Sequence, residues 1–304
     1  MKRKLLQKNT LYFILTTLSL LSCSNDIDNP DNLDSKYVFI PDNSFEEILI
    51  EQNIDSDNTV DGKILRSDAE KVYTLDLNKE QHFGNIKNLT GIEGFKNITK
   101  LTAVSHEITS IDLSHNQLLD TLYLIGNYLK EINFTQNPNL IYIDIQSNEL
   151  EIIKGLSSAT KLKKLNASWN NLETFNIQNP SLEVLHISQN FLTELNINEA
   201  TNLKNLLLTS NKLASLNISS NHKLETLLTS DNRIESINLE NNRNLTHLYI
   251  TSNNLNRLDV SNNLELIELK VDRNPNLTCI KKLSNQNIPS ISLSTYQTIS
   301  SNCN

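Results

Sequence analysis

Leu203-Lys204-Asn205-Leu206-Leu207-Leu208-Thr209-Ser210-Asn211 and Leu119-Asp120-Thr121-Leu122-Tyr123-Leu124-Ile125-Gly126-Asn127 share one pattern, LxxLxLxxN. The same opening begins at Ile98, Leu119, Leu140, Leu162, Leu182, Leu203, Leu224, Leu245 and Leu266, at spacings of 21, 21, 22, 20, 21, 21, 21 and 21 residues. A unit this short cannot bury its apolar side alone, so fixed self-similarity at this period means stacked units in an elongated solenoid. In each opening the first, fourth and sixth residues point inward. Strand alternation sends the third, fifth and seventh outward. The second half of the unit repeats the device, as in Leu213-Ala214-Ser215-Leu216-Asn217-Ile218. The short repeat leaves no room for a helix opposite the sheet. The sequence therefore predicts a slim, mostly β member of the α/β repeat class, with a parallel β-sheet on one side and extended or tight-turn segments on the other.

The full unit reads LxxLxLxxNxLxxLxLxxNxx and covers about 60% of the chain, residues 98–279. It resembles the unit of bacterial leucine-rich repeat proteins of the internalin-like kind. The resemblance implies a capped leucine-rich repeat solenoid that binds other macromolecules. The motif identifies a fold more strongly than a function, because function is written on the variable positions.

The ninth position forms a column of Asn127, Asn148, Asn170, Asn190, Asn211, Asn232, Asn253 and Asn274, with His106 in the first unit. An amide carries two donors and an acceptor. Placed at a buried turn, it can satisfy irregular backbone in its own unit and the next. This column is scaffold. In the second half-unit the outward column reads Asp112, Asn133, Lys154, Asn176, Asn196, Asn217, Asn238 and Asp259, which is uniform and polar. The main sheet is more varied. Its fifth-position column includes Tyr123, Asp144, Asn166, His186, Leu207, Leu228, Tyr249 and Lys270, with Tyr142 and Trp169 beside it. Outward aromatics mixed with polar groups match the composition of binding patches. Cross-strand packing on a sheet surface is the alternative account. The candidate ligand-binding residues are Tyr123, Tyr142, Trp169, His186, Leu207, Leu228 and Tyr249.

Residues 1–22 read as a targeting segment: Lys2-Arg3-Lys4 and Lys8, then an apolar run from Leu11 that is too short to span a bilayer. The segment ends Leu20-Leu21-Ser22-Cys23, which resembles the bacterial lipobox, so Cys23 is expected to carry lipid. Residues 23–36 form an acidic tether with little to bury. Acidic residues soon after such a Cys resemble the export signal of surface lipoproteins. The resemblance implies lipid anchoring to an outer membrane, facing the cell surface.

Residues 37–97 are expected to form an N-terminal cap and lead-in. Asp42 or Ser44 starts a helix through Phe45-Glu46-Glu47-Ile48-Leu49-Ile50, Asp68 starts another through Lys71, and Val72 to Leu77 alternates as a strand. Asp57, Thr59, Asp61 and Asp68 have the spacing of a degraded calcium loop, with Gly62 at its turn. An acidic turn in a cap loop is the plainer reading. Residues 280–304 are expected to cover the other end. With Cys23 lipidated, Cys279 and Cys303 remain as an even pair in an exported chain, which reads as a disulfide. Such a link stabilises by roughly 3 kcal/mol in the chain-entropy model.

The chain has 27 basic and 35 acidic residues, and without the four basic residues of the leader its formal charge is −12. No basic cluster offers a nucleic-acid footprint. The six His are scattered, and His186 and His247 lie three units apart, roughly 15 Å, too far to share a metal. No HExxH, GxSxG or phosphate loop occurs. The expectation is therefore a monomeric, non-enzymatic, membrane-anchored binding module without a cofactor. Its ligand is a protein, for adhesion or another interaction, or a glycan. A purely structural envelope role is the remaining alternative.

Overall fold

A computed structural model of the chain describes residues 36–303. The leader, Cys23 and all of the tether but Lys36 lie outside the described residues. No helix among the described residues is long and apolar enough to cross a membrane.

Eleven strands form one parallel sheet, ordered along the chain from Thr74–Asp76 to Ser290–Ser292. Between them lie Lys100–Thr102, Thr121–Tyr123, Tyr142–Asp144, Lys164–Asn166, Val184–His186, Asn205–Leu207, Thr226–Leu228, His247–Tyr249 and Glu268–Lys270. Neighbours pair position for position, so Leu206 faces Leu185 and Leu227. This in-register stacking places the inward Leu and Ile of every unit in a single core cluster. Burying each such side chain contributes about 1.5–3 kcal/mol, which makes the column of leucines the main source of stability. Across the core lie three short parallel sheets: Glu131–Asn133 with Ile152–Lys154, Thr174–Asn176 with Glu194–Asn196, and Leu258–Asp259 with Cys279–Lys281 and Thr298–Ser300. Among the described residues the α-helices are confined to the N-terminal cap, at Asn43–Glu51 and Arg66–Ala69. The slim, two-sided solenoid expected from the 21-residue repeat is the observed architecture.

The sheet runs one unit past each end of residues 98–279. At the C-terminal end, residues 280–303 add a further turn to the solenoid. Ile288, Ile291 and Leu293 occupy the inward positions, and Gln286 and Gln297 take over from the ladder asparagines. The Cys279–Cys303 disulfide, with Cα atoms 5.7 Å apart, ties this turn to the strand before it.

The N-terminal end is closed differently. Tyr37–Phe39 pairs antiparallel with Lys63–Leu65, and the first helix lies between them in the chain. Asp42, and not Ser44, caps that helix by accepting the Phe45 N–H at 3.1 Å. Its other carboxylate oxygen accepts the Lys87 and Asn88 N–H groups, which pins the helix to the lead-in segment. The helix buries Phe45, Ile48 and Leu49. The second helix starts at Arg66, so Asp68 sits inside it and not at its beginning.

Two amide ladders run through the molecule. In the first, Asn211 donates from Nδ2 to the carbonyls of Ile187 and Leu208, and its Oδ1 accepts the Leu192 N–H at 3.0 Å. Asn127, Asn148, Asn170, Asn190, Asn232, Asn253 and Asn274 repeat the arrangement. His106, buried at the head of the column, lies 3.1 Å from the Leu77 carbonyl through Nε2. In the second ladder Asn116, Asn137, Asn179, Asn221, Asn242 and Asn263 each donate to two carbonyls of the preceding unit. Ala159 and Ala200 interrupt it.

Gly155 lies in the one 22-residue unit, at φ +75°, and a Cβ there would stand 2.2 Å from the Thr135 nitrogen. The reverse side of that unit closes only because this residue has no side chain.

Candidate binding surface

The register of the main sheet fixes the order of the outward side chains. His186 lies beside Leu207, Leu207 beside Leu228, Leu228 beside Tyr249, and Tyr249 beside Lys270. Leu207, Leu228 and Tyr249 therefore form a continuous half-buried apolar ridge on the sheet. The Lys270 ammonium sits 4.0 Å from the Tyr249 ring centroid, and the Tyr249 hydroxyl hydrogen-bonds Glu268, which also pairs with Lys270 at 3.2 Å. Those bonds hold the Glu268 carboxyl below its ordinary range.

The other end of the face is built differently. The Tyr123 and Tyr142 rings pack 5.1 Å apart, with the Lys100 ammonium over Tyr123. The Tyr142 hydroxyl donates to Asp144 at 3.2 Å, and Asn166 Nδ2 donates to Asp144 and to Gln146. Burial and the adjacent Asp144 carboxylate push the Tyr142 phenol up to about 12. His186, between the two ends, is half-buried, and loss of hydration holds its pKa below the ordinary imidazole value.

Trp169 is the exception among the seven residues. It occupies the eighth position of its unit, where the backbone turns left-handed before the ladder Asn. Ser105, Ser147, Gln189, Ser210, Asp231, Ser252 and Arg273 share this conformation, all with φ between 53° and 60°, and Trp169 has φ 58°. The left-handed conformation disfavours any side chain with a Cβ by roughly 1–2 kcal/mol, and a bulky residue there is an outlier. Trp169 nevertheless remains 60% exposed. Two further exposed aromatics, Tyr128 and Phe191, stand at the tenth position, just beyond the ladder Asn. The Lys212 ammonium lies 4.5 Å from the Phe191 ring centroid. Sequence reasoning passed over both, although their signal is plain: each directly follows a ladder Asn.

The structure thus brings Leu207, Leu228, Tyr249 and His186 into one row, and Tyr123 and Tyr142 into a stacked pair. It sets Trp169 apart, exposed at the turn that precedes the ladder Asn. The outward column of the reverse side is engaged otherwise. Asp112, Asn133, Asn196, Asn217, Asn238 and Asp259 each accept the N–H two residues on. A groove of about 590 Å³ opens on that side beside the disulfide, lined by Ile237, Asn238, Arg257, Asp259 and Lys281 among others. Its Asp259–Lys281 pair is closed at 3.0 Å.

Asp57, Thr59, Asp61 and Asp68 do not converge as a calcium site. Asp68 accepts from Ser56 and Lys71, Asp61 pairs with Lys63, and Asp57 caps Thr59 within its own loop. Among the described residues no group of three or more His, Cys, Asp and Glu is placed to hold a metal ion. The organiser of this loop is Glu46, fully buried on the first helix, whose carboxylate accepts the N–H groups of Asp61, Gly62 and Lys63 at 3.0–3.1 Å. The adjacent buried Asp55 is pushed up to about 6, mainly by loss of hydration.

No family model and no curated protein matches the chain. Solved structures do. The functional domain of InlJ from Listeria monocytogenes, which includes a cysteine ladder, superposes with a TM-score of 0.71 at 24% identity, over 85% of this chain and 61% of that one. The chain thus spans under two thirds of that protein's length. Internalin C2 of Listeria monocytogenes gives 0.57 at 20% identity, over 86% and 98% of the two chains. The plant peptide hormone receptor RGFR1, in complex with RGF2, gives 0.53 at 22%, over 67% and 38%. The fold is that of a leucine-rich repeat solenoid, with internalins among its structural neighbours.

Proposed function

We propose that the chain is a binding module that engages a protein partner through the main sheet and its aromatic flank. The observation that carries this reading is Trp169. A large apolar side chain occupies a left-handed backbone position that disfavours it, and it is left exposed. Neither local conformation nor core packing accounts for a Trp there, whereas a partner that covers the ring does. Tyr and Trp are the residues most enriched where interfaces concentrate their binding energy. The ridge of Leu207, Leu228 and Tyr249 supplies the adjoining apolar surface. Structural neighbours are consistent with a protein ligand, one of them being a receptor in complex with its peptide hormone. A glycan is the weaker reading, because Asp144, Asn166 and the Tyr142 hydroxyl, the polar groups a sugar would need beside an aromatic platform, already bond one another.

In this reading Cys23 carries the lipid that holds the module on the outer membrane, and the acidic tether sets it off the surface toward partners in adhesion. Two experiments test it. Protease treatment of intact cells should cleave the solenoid, and full protection until lysis would end the surface reading. Trp169→Ala and Leu228→Asp should each weaken partner binding at least tenfold while the thermal midpoint of the chain stays within about 3 °C. Unchanged binding in both variants would remove the main face from the account.

A further inference from the structure

The Cys279–Cys303 disulfide is not sealed inside the fold. Both cysteines line the groove on the reverse side, and both are partly exposed. The turn they join is also held without the bond. Cys279–Lys281 pairs in register with Thr298–Ser300. Beyond that pairing, the Lys282 N–H donates to the Ser300 carbonyl and the Thr298 N–H to the Thr278 carbonyl. The two sulfurs are mounted differently. Cys279 belongs to the middle strand of its sheet, between Leu258–Asp259 and Thr298–Ser300. Cys303 lies outside the strand ladder, on a short irregular segment where the Asn302 N–H bonds the Ser300 hydroxyl.

The charges around the bond are uneven as well. Parallel pairing sets Leu258 beside Ile280 and Asp259 beside Lys281. The same register carried back one residue puts Arg257 beside Cys279, both on the outward side and both lining the groove. Lys281 is already paired with Asp259 at 3.0 Å. Arg257 is exposed and has no ion pair or hydrogen bond among the described residues. The remaining charged residue of the groove is Glu240. It lies four residues past Ser236, the residue that the repeat aligns with Arg257. A guanidinium beside a cysteine sulfur favours its thiolate, and a thiol with a lower pKa is the better leaving group in disulfide exchange.

We propose that Cys279–Cys303 is an exchange site for a partner thiol, which attacks Cys303 and forms a mixed disulfide with it. The partner reacts as a thiolate, its proton already lost to water. Its sulfur bonds to Cys303 Sγ, the bond between Cys303 and Cys279 breaks, and the electron pair leaves on Cys279 as a thiolate beside Arg257. The partner sulfur is oxidised to the disulfide level and Cys279 is reduced, so no other oxidant or reductant takes part. Attack by Cys279 on the mixed disulfide reverses the step and releases the partner. The direction follows from the mounting of the two sulfurs. The leaving one stays on a paired strand beside a free cation, and the attacked one sits on the segment outside the ladder. A small thiol and a protein cysteine share this chemistry. The site lies on the reverse side, so it does not depend on the proposed binding surface.

The test is incubation of the folded, oxidised chain with glutathione near neutral pH, quenched with acid and read by mass spectrometry. The expected product carries one glutathione, on Cys303, and a free thiol at Cys279. Arg257→Gln should slow its formation at least roughly threefold, and should slow reaction with cysteamine, a thiol of opposite charge, to the same extent. In Cys303→Ala, alkylation of Cys279 by neutral iodoacetamide should move to higher pH when Arg257→Gln is added, which reads the thiolate without any exchange step. A short peptide with one cysteine, run in parallel, separates the sources. A peptide adduct assigns the site to protein cysteines, and an adduct with glutathione alone assigns it to small thiols. Trp169→Ala should leave exchange unchanged. An intact disulfide in the folded chain with every thiol, reaction only once denaturant unfolds the chain, or an adduct on Cys279 overturns the inference. So does an Arg257→Gln effect confined to anionic glutathione, since the arginine would then only attract the reagent.

Discussion

The two sides of each repeat use the same materials and reach different ends. Both bury leucine and isoleucine in one core, and both carry an asparagine ladder. On the main side the ladder Asn closes the turn completely: in Asn211 the amide nitrogen donates twice and the oxygen accepts the Leu192 N–H. The turn asks little of the outward side chains: Asp76, Asp144 and Asn166 accept the N–H two residues on, and elsewhere the column varies from Tyr to His to Leu. On the reverse side the buried ladder oxygens of Asn116, Asn137, Asn221, Asn242 and Asn263 have no partner, and the outward Asn or Asp makes the turn by bonding two residues ahead. Six of the eight residues in that column are held to Asx chemistry. Variation follows where the scaffold leaves side chains unused, and the main face is that place.

The largest expected effect is on the main ladder. Asn211→Ala removes two donor bonds and leaves a buried N–H unpaired, so it should destabilise by about 2–3 kcal/mol in chemical denaturation. A loss no greater than that of an exposed substitution would put the ladder's role in doubt. Trp169→Gly should be neutral or stabilise by about 1 kcal/mol, since it relieves an unfavourable left-handed conformation and uncovers little. A clear destabilisation would mean that the Trp packs structurally. Asn217→Ala, on the reverse side, should cost only about 0.5 kcal/mol, because its exposed turn N–H can turn to water. Equality with Asn211→Ala would erase the contrast between the sides.

The smallest effect concerns His186. Its folded pKa lies below the unfolded value, so the unfolded chain takes up a proton first as pH falls. Stability from this residue is present above about pH 6.5 and is lost as pH drops toward the folded pKa. His186→Gln should flatten that part of the stability profile between pH 7 and 5; His106, shifted in the same direction by burial, leaves a slope of the same sign, and Asp55, pushed up to about 6, one of the opposite sign.

Periodicity made most of the fold legible. Leucine spacing defines the inward positions, and alternation defines the outward ones, because both follow from strand geometry alone. The cap was less legible. Glu46 reads as a surface residue of an amphipathic helix, yet it is buried under three backbone N–H groups from a loop 15 to 17 residues on. No local pattern encodes such a contact. The last turn was obscured by substitution, since Gln286 and Gln297 do with a longer side chain what Asn does elsewhere. At the candidate site, alternation identified the ridge. It did not show that the Tyr249 hydroxyl is engaged by Glu268, a neighbour one unit away in space, or that the Tyr142 hydroxyl turns along its own strand to Asp144. The left-handed backbone at Trp169 was hidden for a different reason: most of its equivalents are Ser, Gln, Asp or Arg, and only Gly126 advertises the conformation.

The most direct test of the binding face compares the two sides within one molecule. A benzophenone amino acid placed at Trp169, and separately at Asn217, would be photoactivated on living cells under conditions where the protein is displayed. A discrete protein adduct from the Trp169 position, absent from the Asn217 position and lost when Leu228→Asp is added, is the predicted result. Equal adducts from both sides, or none from Trp169 while the protein remains folded and surface-exposed, would contradict the claim that the main face is where this solenoid binds.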